Sequence, residues 1–296
     1  MKIFLTGASG FVGSAVVQEL LRHGHQVLGL ARSEAAAQAL AQQGASVLRG
    51  HLQALPSLAE GATEADAVIH CAFIHDFTRF AENCEIDRQA VLALGAALAG
   101  STKPLIVTSG TGLLAGLGEA TEGMPAPARG IPRIASEQAV LALREQGVKA
   151  SIMRLPPSVH GEGDHGFVPM LIGLARERGL AAYIGNGDNR WPAVHRHAAA
   201  RLYRLAIERG EARCYHAVAE PGIAFKAIAE AIGQGLGVPV RSLSAAEAEG
   251  HFGWMAHFAA MDNPASSALS RQLTGWQAEG PGLLADIAEA GYLTGA

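Results

Sequence analysis

Gly7-Ala8-Ser9-Gly10-Phe11-Val12-Gly13 follows directly on the apolar run Ile3-Phe4-Leu5-Thr6 and leads directly into Ser14-Ala15-Val16-Val17-Gln18-Glu19-Leu20-Leu21. An apolar run, a glycine turn and an amphipathic stretch in this order predict a strand, a tight turn and a helix. Gly7 permits the turn, Gly10 lets backbone approach a pyrophosphate, and Gly13 lets the helix lie against the strand. The phosphates then face unpaired helix N–H groups and the positive end of the helix dipole. Ser9, Phe11 and Val12 complete this dinucleotide site. The competing reading is a plain glycine turn in an α/β protein.

Working outward, strand and helix patterns alternate to about Gly161. Apolar strands are expected at Gln26 to Ala31, Ser46 to Leu48, Ala67 to Ile69, Leu105 to Val107 and Ala150 to Met153. Such alternation predicts a parallel sheet covered on both faces. Ligands of such sheets sit beyond the carboxyl ends of the strands. That rule gathers Gly7 to Val12, Arg32-Ser33, His51-Leu52, Cys71-Ala72-Phe73, Thr108-Ser109 and Pro156 to His160, with Val159, around one cleft. After Gly161 the pattern loosens, with helices expected at Val168 to Arg178, His197 to Arg209, Phe225 to Gly235, Ala245 to His251 and Pro281 to Glu289.

The Gly-x-x-Gly-x-x-Gly spacing resembles the extended and atypical branches of the short-chain dehydrogenase/reductase superfamily. Asp66 to Ala72, Val107-Thr108-Ser109, Arg154 to Gly161 and Trp191 to His195 carry the resemblance through most of the chain. It implies an α/β, Rossmann-type doubly wound parallel sheet. A dinucleotide-binding core would occupy residues 1–165. Residues 166–296 would return to that core in part and form a small substrate-binding cap.

The second strand ends in Arg32-Ser33, where a carboxylate would pair with a free ribose 2′-hydroxyl. A permanently charged guanidinium fork and a hydroxyl suit a 2′-phosphate instead, so NADP(H) is favoured over NAD(H). The same pair resembles NADP-preferring members of the superfamily. Alternatively, Arg32 is solvated and Ser33 caps the helix that follows.

The familiar enzymes of this superfamily carry Tyr-x-x-x-Lys, and this chain does not. Tyr183, Tyr203, Tyr215 and Tyr292 are followed four residues on by Gly187, Ile207, Ala219 and Ala296. Matching Arg133-Ile134-Ala135-Ser136-Glu137 to the family pattern puts Arg133 at the tyrosine position and Glu137 at the lysine position. Arg133 cannot serve as a proton donor at neutral pH, and the two could form a salt bridge on a helix face. Gly110 falls at the usual serine position. Ser109, Thr111 and His160 are the remaining catalytic candidates, with His75, Arg133 and Phe167 lining the substrate side. His160 has the intrinsic pKa for proton delivery near neutrality, or is a hydrogen-bonded structural residue.

Three readings follow. The chain is an NADP(H)-dependent reductase of a carbonyl-like or polarised double bond with a non-standard proton donor, or a non-catalytic NADP-binding sensor or partner-binding protein. Nucleotide-sugar epimerase or dehydratase chemistry is the third.

The glycine- and proline-rich stretch between Ser109 and Arg133 is a long loop, hence a lid, a substrate-contacting segment or disorder. Residues His251 to Phe258 concentrate aromatics and either pack internally or cover an apolar substrate. Among 12 histidines, His195-Arg196-His197 has no metal-ligand spacing, so no metal is expected, and His195 is read as fixing a turn. With 296 residues and 49% hydrophobic content the chain can bury a full core. Three widely spaced cysteines fit a reducing cytoplasm, and no apolar run reaches the ~18 residues of a membrane helix. Only four lysines and a net charge of −4 give no footprint for nucleic acid. A homodimer through Phe80 to Ala99 and Ile134 to Gln146 would resemble the family's usual four-helix interface.

Overall fold

Strand β1 (Lys2–Thr6) turns Ile3 and Leu5 to one face of a sheet and Phe4 to the other, and all three are fully buried. A strand that buries both faces must be covered twice. The computed structural model describes residues 1–289 and 291–293, and in it the covering helices alternate with strands along the chain. The first half reads β1, α1 (Phe11–Arg22), β2 (Gln26–Ala31), α2 (Glu34–Gln42), β3 (Ser46–Arg49), α3 (Leu55–Glu64) and β4 (Ala67–His70). It continues with α4 (Phe80–Ala97), β5 (Leu105–Gly110), α5 (Ile134–Glu145) and β6 (Ala150–Leu155).

The second half adds β7 (Ser158–His160), α6 (Phe167–Arg178), β8 (Ala181–Ile184), β9 (Arg190–His195), α7 (Arg196–Arg209), β10 (Cys214–His216) and β11 (Glu220–Ala224). Then come α8 (Phe225–Leu236), β12 (Val240–Leu243), α9 (Ala245–Phe252), α10 (Ala256–Ala259), α11 (Ala268–Thr274) and α12 (Leu283–Glu289). Ala290 and residues 294–296, with Ala296 of the tyrosine comparison, lie outside the described residues.

Seven strands form one parallel sheet in the order β10-β6-β5-β4-β1-β2-β3. Both β2 and β4 flank β1, so the chain reverses its direction of winding there and leaves a crevice at the carboxyl ends. On one face α1, α2 and α7 bury Val16, Val17, Leu20, Leu40, Leu202 and Tyr203 with Ile3 and Leu5. On the other, α3, α4 and α5 bury Leu58, Val91, Leu94, Val140 and Leu143 with Phe4. Helix α7 and strand β10 thus come from beyond residue 165 to complete the core layers. Buried Glu19 ties α7 to α1 by accepting from Arg204 Nε at 2.8 Å.

Apart from α11, which packs on α7 and β10, the remaining elements gather around a separate apolar cluster that includes Trp191, Phe225, Ile228 and Phe252. Its sheets, β11-β9-β7 and β12-β8, were not anticipated from sequence. These strands are three to six residues long, too short for an alternation signal to stand out. Among the described residues no helix is long and apolar enough to cross a membrane.

Candidate functional site

Because β1 to β6 are parallel, five of the six segments gathered by the sequence reading follow carboxyl ends on one edge of the sheet, and Thr108-Ser109 lie within the last residues of β5, which runs three residues past the expected end at Val107. Gly7 sits at φ +68°, in the left-handed region that a side chain would strain. A Cβ there would also come within 2.7 Å of the Ala72 nitrogen, and one on Gly13 within 2.0 Å of the Gly7 oxygen. The turn is therefore pressed against the chain after β4 and against its own helix. Gly10 precedes α1 and supplies no side-chain cap, so N–H groups of the first turn are left for a ligand. These features fit a pyrophosphate, with Ser9 and Gly10 exposed and Phe11 and Val12 half-buried beside it.

At the tip of β2, Arg32 is exposed and has no hydrogen-bond or ion-pair partner among the described residues. Arg49 next door is committed, giving Nη1 to the Ser33 carbonyl at 2.9 Å and pairing with Glu34. Ser33 caps α2 by accepting from the Ala36 nitrogen at 3.2 Å, which leaves its hydroxyl proton free to donate. His51 is exposed beyond β3 and Leu52 is buried behind it.

The positions matched to the tyrosine and lysine do not form the salt bridge that the sequence left open, because each is taken by other partners. Arg133 pairs with Asp87, donates to Ser136 Oγ and to the Thr108 carbonyl (2.8 Å), and lies 4.3 Å over the Phe73 ring. Asp87, fully buried, also meets His70 Nε2 at 3.0 Å and accepts from Ser136 Oγ at 2.6 Å. His70 Nδ1 is 2.8 Å from Thr6 Oγ1, which in turn accepts from the Ala72 nitrogen. Burial alone would raise Asp87, but Arg133, then His70 and Ser136, outweigh it and hold the carboxyl far below its usual range.

Glu137 accepts two hydrogen bonds from Arg154, at 2.8 and 2.7 Å, and one from Ser109 Oγ at 2.6 Å. All three residues are buried. Burial works against the Arg154 charge, yet Glu137 prevails and holds its pKa above the ordinary value.

The three catalytic candidates are all engaged elsewhere. Ser109 Oγ is turned to Glu137, and buried Thr111 donates to Asn263 Oδ1 at 2.7 Å. His160 is fully buried, with Nδ1 2.6 Å from Asp286 Oδ2 of α12, which it anchors, and with Nε2 left without a hydrogen-bond partner among the described residues. His195 does fix a turn, its Nδ1 accepting from the His197 nitrogen to cap α7. Thr108 Oγ1 is 2.7 Å from Tyr203 OH. Burial pushes the Cys71 thiol up to about 11. Pro156 is buried and Val159 half-buried on the other side of the crevice.

The loop after β5 is held down rather than free. Gly116 and Ala120 donate backbone hydrogen bonds to the Asp262 and Pro264 carbonyls, and buried Glu122 accepts from the Ser270 nitrogen and hydroxyl. This is a packed, cap-contacting segment, which sequence could not distinguish from a lid because its partners lie about 150 residues away, as with Thr111 and Asn263 (152).

A wall of aromatic rings, only partly anticipated, extends from Arg133. Phe73 meets Phe80 at 6.1 Å between centroids, Phe80 stacks on Phe77 at 5.8 Å, and Phe77 stacks on Trp254 at 5.1 Å. Phe167 closes it against Phe258 at 4.7 Å. Of residues His251 to Phe258, Phe252 and Met255 pack into the core, while Trp254 is exposed and stacks on Phe77. His75 lies edge-on to Phe73 at 5.2 Å. Its crowded surroundings, then Arg133 and His165, press its pKa below the ordinary value. Among the described residues no group of three or more His, Cys, Asp or Glu side chains is placed to hold a metal.

Sheet order, glycine cradle and crevice together define a dinucleotide-binding α/β protein of the Rossmann type. The chain belongs to the NAD dependent epimerase/dehydratase family, whose model matches residues 3–218. It is 48% identical over 294 residues to the uncharacterized protein C2A9.02 of Schizosaccharomyces pombe, covering 99% of this chain and 100% of that one. It is 30% identical to 2-alkyl-3-oxoalkanoate reductase of Stenotrophomonas maltophilia, covering 82% of this chain and 73% of that one. Its fold is that of DesIV, a dTDP-glucose 4,6-dehydratase from Streptomyces venezuelae solved with NAD and TYD. The TM-score is 0.78 at 19% identity, covering 99% of this chain and 96% of that one.

Proposed function

We propose that the protein is an NADP(H)-dependent oxidoreductase that reduces a small carbonyl-like or polarised double bond. The observation that carries this reading is Arg32: a guanidinium at the β2 tip, without a partner among the described residues, next to a glycine cradle shaped for a pyrophosphate. When bound, the reduced cofactor supplies a hydride. The chain's own part is to hold the phosphates at the start of α1, the 2′-phosphate at Arg32 and the Ser33 hydroxyl, and the acceptor beside Arg133 and the aromatic rings. The reductase named among its relatives supports the reaction class.

Loss of one charge-assisted contact costs about 1.5–3 kcal/mol, a factor of roughly 10 to 150. Arg32→Ala should therefore weaken NADPH binding by that factor in a fluorescence titration and leave NADH nearly unchanged. Equal weakening of both would remove the assignment. Oxidation of NADPH in the presence of aldehydes, ketones, quinones and imines tests the activity itself.

The commitment of Arg133 to Asp87 and of Glu137 to Arg154 favours a second reading, a nucleotide-binding sensor without turnover. Tight NADPH binding with no oxidation across the panel would select it. The thiols Cys71, Cys84 and Cys214 are unpaired, which suits a reducing cytoplasm. We assign a homodimer to the outer faces of α4 and α5, where Leu141 stands exposed.

A further inference from the structure

Arg133 stands where the related enzymes place a phenol, and its chemistry is different in kind. A guanidinium has five N–H groups. Those given to Asp87, Ser136 and the Thr108 carbonyl are three, which leaves two without a partner among the described residues. Its charge is anchored at one end by Asp87, itself held by His70 and Ser136, and its flat face is held by Phe73. Such a group is a fixed, half-buried cation. It stabilises a negative oxygen by electrostatics and cannot hand it a proton.

We propose that this site takes a flat, conjugated, uncharged acceptor, an enone or a quinone, whose oxygen becomes an anion on the two free N–H groups of Arg133 while its ring lies along Phe73, Phe80, Phe77 and Trp254. The inference rests on the reductase reading and adds the substrate class. Hydride with its electron pair adds to the conjugated carbon. The displaced π pair moves along the conjugated path onto oxygen, giving an enolate or phenolate, and NADP⁺ leaves oxidised. Water then supplies the proton and leaves hydroxide to the buffer.

Conjugation decides the class, because the product must exist as an anion before water reaches it. A phenol-type oxygen gives up its proton near pH ~10, whereas a saturated alkoxide lies near the ~16 of water, about six powers of ten less accessible. An oxygen contact that is a cation unable to give up a proton therefore discriminates against saturated carbonyls. The stacked rings act in the same direction, since offset or edge-on ring contacts favour a flat conjugated partner over a flexible saturated one.

Two measurements test this. First, para-nitrophenol is titrated spectroscopically with the NADP⁺-loaded protein and serves as a probe of the anion site that needs no turnover. The bound phenol should ionise at least about one pH unit lower than in water, as expected beside a fixed cation. Arg133→Gln should lose the shift and Arg133→Lys should keep part of it, with NADPH binding and melting temperature reported for each.

Second, kcat/KM is compared for 1,4-naphthoquinone and for hexanal across about pH 6 to 9. The quinone should be preferred at least 100-fold, with a flat profile. An unshifted phenol, equal turnover of hexanal, or a rate that falls with the titration of His75 and vanishes in His75→Gln would overturn the proposal and leave the reductase reading intact. No turnover of any acceptor would end both, even with a shifted phenol.

Discussion

Removal of the Glu137 carboxylate isolates a charge deep in the protein. Arg154 is 2% exposed, and Glu137 supplies the negative partner that it meets directly, at 2.7 Å. In Glu137→Ala the guanidinium keeps the Met124 carbonyl at 2.9 Å and His216 Nε2 at 3.3 Å. Neither is charged, since burial holds the His216 pKa down to about 4. Breaking a buried pair by deleting one member costs roughly 3–5 kcal/mol, and Ser109 loses its acceptor for about 1 more. Against a total stability on the order of 5–15 kcal/mol, this should lower the melting temperature by roughly 10 °C.

Replacing both members behaves differently, because the isolated charge is then gone. Glu137→Met with Arg154→Met fills similar volume with apolar atoms, which is often neutral or better; here it leaves Ser109, the Met124 carbonyl and His216 Nε2 without their partner, for a net loss of about 3 kcal/mol. Urea unfolding of wild type, both single variants and the double variant gives the comparison, with the double less damaged than Glu137→Ala. A double variant as unstable as the sum of the singles would refute the reasoning. So would a Glu137→Ala loss below about 1 kcal/mol, which would mean that buried Glu122 compensates Arg154 across space.

Acid should destabilise the fold in a defined window. His216 is neutral when folded down to about pH 4, whereas its unfolded pKa is near 6.5, so the unfolded state binds the extra proton between those values. Stability is full above about pH 6.5 and falls by up to roughly 3 kcal/mol toward pH 4; urea midpoints measured across that range should lose this slope in His216→Asn. Gly13→Ala would put a methyl 2.0 Å from the Gly7 oxygen, so α1 must retreat from β1. A loss of about 1–3 kcal/mol by thermal unfolding, together with loss of measurable NADPH binding by calorimetry, is expected. Leu141→Arg on the outer face of α5 should turn a dimer into a monomer by light scattering with the fold intact by circular dichroism; a wild-type monomer would discard that interface.

The core half of the fold was legible because its signals are local. Glycine spacing at Gly7, Gly10 and Gly13, buried strands and intervening helices all lie within short windows, whereas the strand order and the edge strand β10 rest on distant pairings such as Ile3 with Ala67 and Cys214 with Ile152. The cap sheets were hidden because β9 finds β7 and β11 through partners thirty or so residues away, with short strands and a register shift between Glu220 and Ile223. The site divides in the same way. Arg32 and the cradle could be read from neighbours in sequence. The fates of Ser109, Thr111 and His160 could not, since each hydroxyl or imidazole is claimed by a residue 28, 152 or 126 positions away.

Arg133 and Glu137 are adjacent turns of one helix region with opposite charges, yet neither neutralises the other. Arg133 depends on Asp87, Asp87 on His70 and Ser136, and His70 on Thr6 at the end of β1. Glu137 depends on Arg154 and Ser109, across β5 and β6. Each charge is thus built into its own buried chain of partners, and the exchange of residue types at these positions is a change of two networks. It follows that Arg133→Tyr with Glu137→Lys, which writes the family pattern back into the helix, should not create the family chemistry. The new ammonium would stand against Arg154, and Asp87 would keep His70 and Ser136 but lose its cation; a buried like-charge contact and a buried carboxylate without its countercharge would each cost several kcal/mol. A folded, more active double variant would show that the two networks are incidental to the site.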